Sequence, residues 1–67
     1  MKISKINSLN EDLLHRIIDN YGFHGCFNYH DYTHGEISNS YLNDSASAEF
    51  IGQLVLAGFD IEYQGDR

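Results

Sequence analysis

Cys26 is the single cysteine in a chain of 67 residues, so no internal disulfide is available and one hydrophobic core has to hold the fold together. A chain of this size buries only about 60% of the surface its unfolded form exposes, which leaves room for one core and one functional face. Residues 1–67 are therefore expected to form a single domain. Apolar residues reach 42%, with five Tyr and four Phe, enough to set the chain apart from disordered segments despite its charge. The absence of proline suits regular elements joined by Gly and Asn turns. A lone thiol fits a reducing, cytoplasmic setting. No segment approaches roughly 18 consecutive apolar residues, and the N-terminus lacks the basic-then-apolar layout of a signal peptide, so no membrane association is expected.

Periodicity predicts two helices and a small sheet. Ser8 and Glu11 stand in the S-x-x-E relation of a capping box, in which each side chain satisfies an orphan amide of the first turn. Leu13, Leu14, Ile17, Ile18 and Tyr21 follow at helical spacing and Gly22 ends the run, giving a helix over about 9–21. From Phe23 to Tyr32 the pattern alternates, with Phe23, Phe27 and Tyr29 on one side and His24, Cys26, Asn28 and His30 on the other, as in a strand with one packed face. Thr33, His34 and Gly35 supply a turn with a glycine where positive φ is wanted, and a second strand is expected from Glu36 to Asn43. A two-residue turn would set Phe27 opposite Leu42, and a three-residue turn opposite Tyr41. Asp44 or Ser45 is placed to cap a second helix with the stripe Phe50, Ile51, Leu54 and Val55, stopped at Ala57 and Gly58. Phe59 to Tyr63 alternates strictly, with Asp60 and Glu62 on the solvent side.

Ile3 and Ile6 are three apart and fit neither period. With residues 2–6 as a strand the element order is βαββαβ, the ferredoxin-like α+β arrangement with two helices on one face of an antiparallel sheet. Without it the order is αββαβ. Either way the second sheet face, or its edges, stays open to a partner.

The net charge is −6, and its distribution is uneven. Lys2, Lys5 and Arg16 lie in the first quarter, and the next basic residue is Arg67. From Ile17 to Asp66 there is no Lys or Arg, while Asp19, Asp31, Glu36, Asp44, Glu49, Asp60, Glu62 and Asp66 fall in that span. Nucleic acids and anionic membranes are bound through cations that neutralise phosphates, so neither is an expected direct partner. A field of one sign instead steers a basic protein surface, with strong dependence on salt. The same charge also serves solubility, but acidic proteins built for solubility mix in lysines.

Chemistry-bearing residues are few. His24, Cys26, His30 and His34 form the one N/S-rich group, yet His24 to His30 would span about 20 Å along an extended strand, too far to share an ion. His24 and Cys26 remain a candidate metal pair, with no second pair to complete a tetrahedral site. A nucleophilic Cys26 would need a nearby cation or helix N-terminus, which acidic surroundings do not offer. Glycines fall singly, so no phosphate-cradling loop is present. No catalysis and no cofactor are expected.

Small size, acidity and compact α+β order make the chain resemble small phage-encoded inhibitor proteins, among them anti-CRISPR proteins. Locally, Ala57-Gly58-Phe59-Asp60-Ile61 is similar to the helix-to-strand passage of a short phage inhibitor of bacterial RNA polymerase. The resemblance implies stoichiometric inhibition by occupying a basic, nucleic-acid-binding surface on a host or defence complex, in the host cytoplasm. The residues expected to meet such a partner are Asp31, Tyr32, Glu36, Asp44, Glu49, Asp60 and Glu62. Two other readings stand beside it: a metal-binding ferredoxin-like domain using His24 and Cys26, and a homodimer that pairs edge strands.

Overall fold

A computed structural model describes residues 1–42 and 45–63. The elements are β1 (Lys2–Ser4), α1 (Glu11–Asn20), β2 (Phe27–Tyr29), β3 (Gly35–Ile37), α2 (Ser45–Leu56) and β4 (Asp60–Glu62), with single 3-10 turns at His24–Cys26 and Asn39–Tyr41. The order is βαββαβ, so residues 2–4 are a strand. The sheet runs β2-β3-β1-β4 with every neighbouring pair antiparallel. β3 thus lies between β1 and β2, and β1 lies between β3 and β4. Two βαβ crossovers are interleaved, and β1 and β3 form the centre.

Both helices pack on one face of the sheet. Leu14, Ile17 and Ile18 of α1 and Phe50 and Leu54 of α2 join Ile3, Ile37 and Phe59 in one buried cluster. Phe50 is its hub, with ring centroids 4.7 Å from Phe23 and 5.6 Å from Tyr21. Of the stripe predicted for α2, Phe50 and Leu54 are buried, Ile51 is half-buried and Val55 is exposed.

The two isoleucines that fit neither period are explained by one backbone angle. Lys5 adopts φ +67°, a left-handed conformation that reverses the side-chain phase after β1. Ile3 and Ile6 are buried from opposite sides of that kink. The Ile6 amide then donates to Thr33 O at 3.2 Å, tying the β1–α1 loop to the β2–β3 loop.

Both helices end in the same way. Gly22 has φ +77° and Gly58 φ +99°; the Phe23 amide bonds Ile18 O at 3.0 Å and the Phe59 amide bonds Leu54 O at 3.1 Å. These are the six-to-one bonds of Schellman caps, in which the residue after the glycine turns back into the core. Phe23 and Phe59 are that residue, and both are buried.

Several local expectations are corrected, among them the second strand, which runs Gly35–Ile37 and does not reach Asn43 because the chain takes a 3-10 turn at Asn39–Tyr41. The Ser8–Glu11 capping box does not form: α1 begins at Glu11, with Asn10 as a cap that makes no side-chain bond to the helix. Asn7 replaces it, its Oδ1 accepting from the amides of Leu9 at 2.8 Å and Asn10 at 3.0 Å. The strand expected from Phe23 is cut short because the Schellman cap claims Phe23 and the chain takes a 3-10 turn through Cys26. In the hairpin, Phe27 pairs with Ile37, not with Leu42 or Tyr41. The connection is the five residues His30 to His34, closed by the His30 amide on His34 O at 2.9 Å. Gly35 is needed for space and not for positive φ, since a Cβ there would run into the Phe27 ring. The predicted Asp44 cap lies outside the described residues.

These packing differences give opposite expectations for two glycine replacements. Gly35→Ala forces the Phe27 ring aside and should lower stability by about 1–3 kcal/mol. Gly52→Ala, mid-helix in α2 with nothing within 4 Å of the new methyl, should raise it by about 0.5–1 kcal/mol. Urea denaturation of the two variants measures both.

Candidate partner-binding surface

The helix-free face of the sheet is built by alternation. Ile3, Gly35, Ile37 and Ile61 turn towards the helices, so Lys2, Asn28, Glu36, Asp60 and Glu62 turn away. Register aligns Asn28, Glu36, Lys2 and Glu62 across the four strands, with Asp60 opposite Ser4 one row on. Three expected partner-binding residues, Glu36, Asp60 and Glu62, therefore share one face. The cation-free span of the sequence does not become a cation-free surface, however, because central β1 carries Lys2 between Glu36 and Glu62. His30 joins the same face through a 2.6 Å bond from its imidazole to Glu36 Oε1. That bond, with lesser help from the Met1 ammonium and Lys2, holds the Glu36 carboxyl below its ordinary range.

Asp31 and Tyr32 sit at the hairpin loop. Asp31 Oδ1 accepts from the Thr33 amide at 2.8 Å, the Thr33 hydroxyl at 3.0 Å and the His34 amide at 3.1 Å, and His34 Nδ1 lies 3.0 Å away. The His34 imidazole first, then Thr33, hold this carboxyl far below the usual range. Asp31 is thus the clasp of the loop as well as part of its charge. Tyr32 next to it is 94% exposed.

Between this loop and the β1–α1 loop lies an open, mainly apolar groove of about 590 Å³, whose walls include Ile6, Glu11, Tyr29, Asp31 and Tyr32. The Tyr29 hydroxyl donates to Glu11 Oε2 at 3.0 Å and lies 2.9 Å from His15 Nε2. Burial, reinforced by Glu11, pushes the Tyr29 phenol up to about 12, so it stays a donor. The sequence pattern points to Glu11 as a cap and Tyr29 as a packed strand residue, and neither pattern reveals their pairing.

The expected residues do not form a single patch. Glu49 belongs to α2 in the helix layer, where it accepts from the Tyr21 hydroxyl at 3.0 Å. Asp44 lies outside the described residues. His24 and Cys26 do not make a chelating pair on a strand face: His24 faces Asp19 at 3.6 Å, and Cys26 packs against the core. Among the described residues, no group of three or more His, Cys, Asp or Glu is placed to hold a metal ion. Among them too, no helix is long and apolar enough to cross a membrane.

The Asp31 clasp has a defined pH signature. Its folded carboxyl titrates below the unfolded value of about 3.9, so its contribution is present above that value and is lost as pH falls towards the folded one. Asp31→Asn keeps an acceptor for the Thr33 amide and removes the charge. The variant should melt below the wild type at pH 7, and the gap should close as pH drops beneath about 3.9. Melting temperatures recorded from pH 7 to pH 2 check this.

Comparison with known protein families, with curated proteins and with solved structures finds no match to this chain.

Proposed function

We propose that this chain is a non-catalytic acidic binding protein that docks on a Lys/Arg-rich protein surface and inhibits a nucleic-acid-handling host or defence complex by occupying that surface. The observation that supports the reading is the display of Glu36, Asp60 and Glu62 on the one sheet face that no helix covers, with Lys2, among the described residues, the single fixed cation aligned with them. The strand pairing fixes which face these side chains leave from, and Glu36 is held further by His30, so the acidic field points away from the helices. The hairpin loop extends the acidic border through Asp31 and offers Tyr32 as an aromatic contact. Such a surface repels phosphates and so acts on a nucleic-acid enzyme by competing for its cationic groove, in the cytoplasm of a host cell if the source is a phage.

The test is competition. A bacterial lysate is passed over the immobilised chain, bound proteins are eluted with a salt gradient, and each is assayed for nucleic-acid binding with and without the chain. Captured partners should be nucleic-acid-binding proteins that release DNA or RNA when the chain is added. Their affinity should fall at least about tenfold between low and physiological salt. Asp60→Lys with Glu62→Lys, both on exposed positions, should keep the fold and abolish capture. Capture that ignores salt and survives the double reversal would reject the reading.

A further inference from the structure

The groove between the β1–α1 and β2–β3 loops combines features that select one kind of side chain. Its floor includes Ile6, which is only 2% exposed, and its walls include the rings of Tyr29 and Tyr32. Tyr32 leaves nearly its whole ring in water, although nothing in the hairpin requires an aromatic there: the loop is clasped by Asp31, Thr33 and His34. Two carboxylates, Glu11 and Asp31, line the groove, and among the described residues no Lys or Arg does. They are not equivalent. Asp31 is held in the clasp, Oδ1 meeting four donor atoms and Oδ2 lying 3.2 Å from His34 Nδ1, whereas Glu11 is engaged by the Tyr29 hydroxyl at Oε2, and a carboxylate has about four acceptor positions. Glu11 therefore keeps acceptor capacity towards a ligand.

We propose that this groove is the seat for an arginine side chain of the basic partner, with the guanidinium stacked on Tyr32 and hydrogen-bonded to Glu11. The assignment rests on the binding-protein reading above and names the contact that would give it specificity. An arginine stem is apolar and lies well on Ile6 and Tyr29, while its planar head stacks on an aromatic face and forks to a carboxylate at the same time. A lysine ammonium is a strongly hydrated point charge that gains from the acids but cannot stack or fork. An anionic or purely apolar occupant would leave Glu11 and Asp31 repelled or desolvated.

Calorimetric titration with two peptides of equal length and charge, hexa-arginine and hexa-lysine, separates the claims. The wild type should bind hexa-arginine about tenfold more tightly than hexa-lysine. Tyr32→Ala and Glu11→Gln should each erase that preference while residual, salt-sensitive binding of both peptides persists. Tyr32→Trp should preserve it. In a nuclear magnetic resonance titration the Ile6 methyls and the Tyr32 ring should shift with hexa-arginine. Equal affinity for the two peptides, or an unaltered preference in Tyr32→Ala, overturns the arginine seat and leaves the acidic-surface reading standing. Failure of the wild type to bind either peptide at low salt overturns both.

Discussion

Ile3 is the residue on which the arrangement turns. It is fully buried, sits at the middle of the central strand, and its neighbours pair on one side with β3 and on the other with β4. Each strand is three residues long, too short to be stable as an isolated hairpin. Pairing on both edges of β1 converts these fragments into a four-stranded surface large enough for two helices to cover. The kink at Lys5 then sends the chain out of the sheet plane and buries Ile6 separately. The Ile6 amide, bonded to Thr33 O, ties together the loops on either side of the groove. The core and the proposed arginine seat thus share a single anchor.

Much of this was legible because local chemistry and tertiary packing agree. The apolar stripe of α1, the strict alternation at Asp60–Glu62, and the glycines at 22 and 58 each specify one conformation, and each is found. The failures share a cause. Phe23 alternates with Phe27 and Tyr29, yet a helix cap can also use a large apolar residue after its glycine, and periodicity does not distinguish these uses. Gly35 reads as a turn residue by type, although its role is to leave room for the Phe27 ring. Ser8 and Glu11 have capping-box spacing, but Tyr29 approaches from a distant strand and takes the Glu11 carboxylate. A long-range hydrogen bond of this kind has no sequence period.

Charge illustrates the same limit. From Ile17 to Asp66 the sequence has no fixed cation, and a one-dimensional reading makes that stretch uniformly negative. The split βαβ topology places the N-terminal strand at the centre, so Lys2 enters the acidic field. Elsewhere in the span the histidines take the place that lysines would hold: His24 lies against Asp19, His30 against Glu36 and His34 against Asp31. The substitution matters. An ammonium neutralises its carboxylate permanently, whereas a neutral imidazole hydrogen-bonds to it and leaves the charge in place.

The disposition of acids also bears on self-association. β4 is an edge strand, and Asp60 and Glu62 flank Ile61 on its solvent side. A second copy adding in antiparallel fashion about Ile61 would bring Asp60 of one chain opposite Glu62 of the other, and directly opposed like charges destabilise a strand pair. Charged residues on short edge strands are a common means of blocking edge-to-edge growth. The carboxylates that discourage a homodimer at this edge favour a cationic surface at the same place, because the sign that repels a copy attracts a basic partner. Solubility and partner choice therefore rest on the same side chains: a single reversal at Asp60 or Glu62 would set opposite charges face to face across such a pair and lift the block, whereas reversing both keeps like charges opposed.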